Sequence, residues 1–184
     1  MATPPPDLRA IGPRRNDLVV LRAWRSADLP IIAEVSRDPY IPHVTTVPRP
    51  YTPDEGRAWL QRQHDQAAEG CGCPLAVVTA ADGEVAGMAT ITGIDWANRR
   101  ANVGYWLLRR HRGRGLAKAA LTLLPDIARE LGLVRLQALV EPDNRASQAV
   151  CRALGYTEEG TLRGYHRIGD RNRDMIMFAL LVEQ

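Results

Sequence analysis

Between residues 109 and 118 the chain reads Arg109-Arg110-His111-Arg112-Gly113-Arg114-Gly115-Leu116-Ala117-Lys118. The two glycines permit a tight turn. Leu116, Ala119, Ala120, Leu123, Ile127 and Leu131 then recur near the ~3.6-residue period of one helix face, which predicts a helix over residues 116–131. A glycine turn entering a helix presents backbone N–H groups unshielded by Cβ atoms and adds the positive end of the helix dipole. Four arginines on the turn add long-range attraction for anions. This is the chemistry of a phosphate cradle. It is not a P-loop, since no Gly-x-x-x-x-Gly-Lys-Ser/Thr run occurs, and a dinucleotide fingerprint would need glycine where Lys118 stands.

The turn must be held by its neighbours. Residues 18–22 read as a first strand. Asp28-Leu29-Pro30 opens a helix, with Asp28 as its cap and Ile31, Ile32 and Val35 on its buried face. Residues 38–53 carry five prolines, and the segment 39–52 is a candidate lid or acceptor wall. Thr52-Pro53-Asp54-Glu55 starts a second helix bearing Ala58, Trp59 and Leu60. Strands over 75–79, 85–94 and 101–108 follow, the first pair joined by the hairpin turn Ala81-Asp82-Gly83. Beyond the glycine turn come a strand over 134–140, a helix over 145–154 and a terminal hairpin ending in a strand over 175–182. Pro125 interrupts the 116–131 helix at a cost of ~3 kcal/mol unless the helix bends. The expectation is an α+β fold: a mixed, mostly antiparallel central sheet flanked by helices. Residues 17–184 form one domain in this reading, preceded by a flexible segment over 1–16.

Composition agrees. The chain has 184 residues, 45% of them hydrophobic and 24% charged, which fits one globular domain and excludes collagen-like and disulfide-scaffold classes. No apolar run approaches the ~18–20 residues that cross a bilayer, and residues 1–16 hold no apolar signal core. The net charge of +3, with Lys118 the only lysine, favours an anionic small ligand or nucleic acid. Three cysteines, an odd number, argue against a disulfide framework, and Cys71-Gly72-Cys73 is too closely spaced for a zinc knuckle. A soluble cytoplasmic protein without a metal is expected.

With Arg112, Gly113, Gly115 and Ala117 in the order Arg-Gly-x-Gly-x-Ala, the turn resembles the acetyl-CoA pyrophosphate loop of the GNAT N-acetyltransferase superfamily. An Arg110-x-x-Gly113-x-Gly115 register also fits the letters. The Arg112-x-x-Gly115-x-Ala117 register puts Leu116 at the hydrophobic position and starts the helix correctly. Other runs, in order, are similar to the RimJ/RimL-like branch: residues 18–22 with Asp28-Leu29-Pro30, Gly104-Tyr105-Trp106-Leu107, Asn144-Arg145-Ala146-Ser147 with Leu154-Gly155-Tyr156, and Glu159-Gly160-Thr161-Leu162-Arg163.

The resemblance implies an acetyl-CoA-dependent N-acetyltransferase in which a primary amine, of a protein N-terminus or a small molecule, attacks directly. It implies that strands 101–108 and 134–140 splay into a wedge for acetyl-CoA. Backbone at Leu107 and Leu108 would meet the pantetheine, and Arg112, Gly113, Arg114, Gly115, Leu116, Ala117 and Lys118 would hold the pyrophosphate. Asn144 would lie near the pantetheine arm, a role that can coexist with capping the helix at 145, and Ser147 near the sulfur. Two family positions depart: the usual acidic residue of the wedge strand is Asn102, and the usual tyrosine seven residues after the motif asparagine is Cys151. The candidates for proton transfer are then Glu159 and Glu141 as base and Ser147 as donor to the thiolate, with Tyr105 a further donor. Either glutamate reads equally well as an arginine partner. Tyr40, His43 and Tyr105 are the candidate acceptor-binding side chains. Two other readings stay open: a non-catalytic acyl-CoA-binding or sensing module, and a basic nucleic-acid-binding domain on residues 109–114, which lack the interleaved aromatics such surfaces use. Homodimers are frequent in the resembled branch, and no membrane partner is implied.

Overall fold

The computed structural model describes residues 5–183. Its strands are β1 (Arg14–Arg15), β2 (Val19–Ala23), β3 (Gly72–Thr79), β4 (Val85–Asp95), β5 (Arg100–Leu107), β6 (Arg135–Val140), β7 (Thr157–Ile168) and β8 (Arg171–Leu181). They form one sheet in the order β1-β2-β3-β4-β5-β6-β8-β7. Every pairing is antiparallel except β5 with β6. The helices are α1 (Leu29–Val35), α2 (Ile41–Val44), α3 (Pro53–Ala68), α4 (Leu116–Thr122), α5 (Leu124–Glu130) and α6 (Arg145–Ala153). Among the described residues no helix is long and apolar enough to cross a membrane.

The period of two along the strands builds two cores. Leu75 and Val77 of β3 and Val103 and Leu107 of β5 pack with Leu116, Leu124 and Ile127 of α4 and α5. Their neighbours Ala76, Val78 and Trp106 point the other way, against Ile32 of α1 and Trp59 of α3. All eight residues of β3 are buried. A strand covered on both faces needs no polar alternation, which is why its sequence reads as a short continuous apolar run.

Three local expectations are corrected. The 116–131 helix is two helices meeting at Leu123, because Pro125 sits in the first turn of α5, where its missing N–H costs nothing. Asp28 stands at the N-cap of α1, but its side chain makes no cap hydrogen bond there: it accepts from the Arg25 N–H at 2.8 Å and pairs with Arg22 at 2.7 Å, closing the turn before the helix. The segment expected to be loose docks from Leu8 onward. Leu8 is buried, β1 pairs with β2, Arg14 forms an ion pair with Glu130, and Asn16 Nδ2 donates to the Ala119 carbonyl at 2.9 Å. Residues 1–4 lie outside the described residues.

The feature that makes a site is a fork between β5 and β6. Their pairing runs only through Arg100–Arg135, Ala101–Leu136 and Asn102–Gln137. Beyond that point β5 stays with β4 as far as the Leu107–Gly87 pair, while β6 stays with β8 as far as Val140–Ile176. Each strand is held by its outer neighbour, so the inner edges separate. Asn102 Oδ1 accepts from Gln137 Nε2 at 3.1 Å, pinning the apex. The outer pairing of β5 depends on Gly87, where a Cβ would lie 2.0 Å from the Trp106 carbonyl oxygen.

Candidate active site

Strand geometry decides which backbone groups face the fork. The Leu108 N–H donates to the Ala86 carbonyl at 2.9 Å, on the β4 side. Backbone direction alternates along a strand, so Val103, Tyr105 and Leu107 present theirs to the fork. Leu107 therefore turns its N–H toward the fork. Leu108 does not: its amide is taken by β4 and its side chain is buried in the α1–α3 core.

After β5 the chain makes a short turn over Arg109–His111 and then the glycine loop. Gly113 has φ 74° and Gly115 φ 77°, values that L side chains rarely adopt. Gly115 is the residue before α4, and by helix geometry the N–H groups of the first turn have no partner within the helix. A Cβ at either glycine would project into open space, with nothing within 4 Å. That space is a cavity of about 870 Å³ reaching from the loop along the inner edge of β5 to α6. Arg112, Gly113, Gly115, Leu116, Ala117 and Lys118 all border it. Unshielded amides, an ammonium and room without Cβ atoms fit a diphosphate.

Arg114 does not border the cavity. It turns toward His111 Nδ1 at 3.2 Å, donating to a buried ring whose pKa is lowered by burial and by Arg110 and Arg114. Arg110 pairs with Glu34. Arg112 donates to the Leu107 carbonyl at 2.9 Å and to Asp38 Oδ2 at 2.9 Å. The other Asp38 oxygen accepts the Tyr40 and Ile41 amides at 2.9 and 3.0 Å, so one carboxylate ties the glycine loop to the start of α2. Burial alone would raise the Asp38 pKa, but these donors bring it below the ordinary value.

A second cavity of about 420 Å³ passes through the fork toward α3, between Trp59 and Met88 on one side and Cys151 and Tyr156 on the other. Tyr40, Tyr105, Trp106, Glu141, Asn144 and Ser147 border both cavities and define their junction. Glu141, just beyond β6, is 6% exposed. It accepts from the Tyr40 hydroxyl and, at 3.2 Å, from Arg173 Nε, while Arg173 Nη2 holds Asp143 at 2.9 Å. Burial, reinforced by Glu141, pushes the Tyr40 phenol well above its usual range, so it stays a donor. The Tyr105 hydroxyl and Ser147 Oγ lie 2.9 Å apart. Burial raises the Tyr105 pKa, and the Ser147 contact only partly offsets it. Asn144 Oδ1 accepts the Ser147 N–H at 3.1 Å, the cap that starts α6 and orients Ser147.

The junction can thus offer a carboxylate to a proton and a hydroxyl pair to a leaving anion, and the adjoining first cavity offers the Leu107 amide to a developing oxyanion. Two expected residues are absent from it. Glu159 sits on β7 in a two-point ion pair with Arg135, 2.8 Å at its first contact, beside a separate groove with Arg100 and Thr161. His43 is bonded to Arg49 and borders neither cavity. Nothing in the sequence marks Trp59, Trp106 or Arg173 as residues of a site. Trp59 and Trp106 look like ordinary core residues, and only β6–β8 pairing carries Arg173 to Glu141. Cys151 borders the second cavity, but burial pushes its thiol up to about 11, which leaves it protonated at neutral pH.

Residues 19–157 match the family model described as an acetyltransferase (GNAT) domain. The chain is 32% identical over 168 residues to N-acetyltransferase p20 of Bacillus licheniformis, covering 90% of this chain and 94% of that protein. It is 26% identical over 179 residues to spermidine N(1)-acetyltransferase of Escherichia coli K12, covering 97% of this chain and 82% of that one. The solved structure of Mycobacterium smegmatis RimJ in complex with CoA-disulfide superposes with a TM-score of 0.78 at 26% identity, covering 92% of this chain and 86% of that chain.

Proposed function

Because the chain belongs to the GNAT acetyltransferase family, we propose that residues 17–184 are one acetyl-CoA-dependent domain that acetylates a primary amine entering from the opposite face of the sheet. The observation that carries this reading is the junction, where a loop-bounded cavity and a second cavity meet at Glu141, Ser147 and Tyr105. A small anionic ligand suits the loop better than a nucleic-acid backbone, since Arg110, Arg112 and Arg114 are engaged within the protein. Three unpaired thiols fit a reducing, cytoplasmic setting.

Bound acetyl-CoA supplies a thioester carbonyl, the electrophile for direct attack. The amides of the glycine loop and Lys118 hold the pyrophosphate charge. The Leu107 N–H donates to the carbonyl oxygen as charge gathers there, a term often worth several kcal/mol. Amines reach neutral pH mostly protonated, with pKa about 8 for an α-amino group and about 10.4 for lysine. Glu141 takes that proton, directly or through a water, with Tyr40 and Arg173 fixing the carboxylate. Tyr105 and Ser147 donate toward the departing sulfur. Cys151 has no part as a nucleophile.

Titration calorimetry with acetyl-CoA, paired with thiol release on addition of a primary-amine panel, tests the reading. Micromolar binding and amine-dependent thiol release are expected. No acetyl-CoA binding by the folded protein would overturn it.

A further inference from the structure

Asp38 takes no part in the chemistry described above, yet its side chain is 8% exposed and engages three donors from two parts of the chain. Its Oδ1 accepts the Tyr40 and Ile41 N–H groups at 2.9 and 3.0 Å, and its Oδ2 accepts from Arg112 Nη2 at 2.9 Å. Arg112 in turn donates from Nε to the Leu107 carbonyl at 2.9 Å. One end of this bridge is the tip of β5. The other is the backbone that carries the Tyr40 ring.

The fork makes that bridge matter. Leu107 and Glu141 stand on separate arms, and the β5–β6 ladder stops at Asn102–Gln137. Strand pairing therefore does not fix the distance between them. The backbone at Glu141 is held from its own arm, its carbonyl accepting from the Asn144 N–H at 3.0 Å and from Gln148 Nε2 at 3.3 Å. The carboxylate is held by Arg173 of β8 and by the Tyr40 hydroxyl. Of these holds, the Tyr40 bond is the one that leads back to β5, through Asp38 and Arg112. Tyr40 is 43% exposed, so packing does little to fix its ring and the hydrogen bonds at its two ends must do so.

We propose that Asp38 is a positioning residue for acetyl transfer: by clamping Tyr40 to Arg112 it sets the Glu141 carboxylate relative to the Leu107 amide, and so the proton acceptor relative to the thioester carbonyl. The inference rests on the acetyltransferase reading with Glu141 as proton acceptor. A misplacement of about 1 Å in such a constellation can cost about a hundredfold in rate.

Asp38→Asn isolates the bridge. The amide oxygen can still accept the Tyr40 and Ile41 N–H groups, whereas its NH2 meets Arg112 donor against donor. Tyr40→Phe cuts the next link. The experiment measures kcat from thiol release at saturating acetyl-CoA and acceptor, using the fastest of a primary-amine panel that includes Ala-, Ser- and Met-starting peptides. Calorimetry gives the acetyl-CoA dissociation constant, and circular dichroism checks folding. Asp38→Asn is expected to lower kcat at least about fivefold while the dissociation constant stays within about threefold, because the loop amides are untouched. The double variant is expected to stay within about threefold of Tyr40→Phe alone, since both changes cut one route. If Asp38→Asn does not fold, Arg112→Leu, at a half-exposed residue, cuts the same link from the loop side and should lower kcat at saturating acetyl-CoA by the same factor.

A smaller loss of kcat in the folded variant, losses that multiply in the double variant, or kcat and acetyl-CoA affinity falling together would each overturn the positioning role. All three leave the acetyltransferase reading in place. No acetyl-CoA binding by the parent, no thiol release with any of these amines, or parental turnover by Glu141→Gln would instead overturn the reading beneath it and this inference together.

Discussion

The Tyr40 hydroxyl donates to Glu141, joining the segment before α2 to the end of β6 across 101 positions of chain. Tyr40 is anchored by the same Asp38 carboxylate that receives Arg112 from the glycine loop. The glycine loop, the α2 segment and the buried glutamate are therefore one connected unit.

Glu141→Gln keeps the shape and removes the proton acceptor. General base catalysis is typically worth about 10²–10⁴ in rate, so kcat should fall by at least about a hundredfold. Acetyl-CoA affinity, measured by calorimetry, should change less than about threefold, because the loop amides are untouched. Turnover within a factor of about five of the parent would show that the proton leaves by another route.

At Gly115, φ is 77° and the space beyond the position of a Cβ is open. Gly115→Trp would fill that space and strain the turn, so the acetyl-CoA dissociation constant should rise at least about a hundredfold, or ~2.8 kcal/mol at ~1.4 kcal/mol per decade. Circular dichroism should still show a folded protein. Unchanged affinity would place the pyrophosphate elsewhere.

Glu159→Gln should leave kcat/KM within about threefold of the parent. Its carboxyl is held below the ordinary value by Arg135, an exposed pairing away from the junction. A large loss of turnover with unaltered acetyl-CoA binding would restore Glu159 as the base.

Acid stability should depend on Asp28, whose side chain is 6% exposed and paired with Arg22, itself 14% exposed. Burial alone would raise the Asp28 pKa, but the Arg22 guanidinium and the Arg25 N–H outweigh it and hold the pKa below the ordinary 3.8. A group depressed in this way contributes stability that is full above its unfolded pKa and lost as pH falls through its folded one. Urea midpoints should thus lose this contribution only below about pH 4. Asp28→Ala should cost about 3 kcal/mol at pH 7, since it strands a buried guanidinium, and should flatten part of the acid limb.

Thiol reactivity offers an independent check. Burial pushes Cys73 up to about 12 and Cys151 up to about 11, whereas Cys71 is exposed. Raised values lower the thiolate fraction, so iodoacetamide at pH 8 should label Cys71 first, as peptide mass spectrometry would read. Early labelling of Cys151 would mean that the second cavity is wider open than its geometry shows.

What the sequence determined alone was local. Positive φ at Gly113 and Gly115, the Asn144 cap on Ser147, the hairpin at Asp82-Gly83 and the strand period of two are properties of a few adjacent residues, and they appear where their chemistry requires. The 116–131 periodicity reads as one helix because apolar spacing continues through the break that Pro125 makes. Tertiary structure decided everything that depends on a residue's partner. Glu141 and Glu159 are both glutamates at strand ends. Fork geometry brings one to Tyr40 and Ser147, and the β7 edge gives the other to Arg135. Whether a buried N–H or O–H finds a partner, as those of Trp59, Trp106 and Tyr156 do not, is equally a matter of atoms contributed by distant segments.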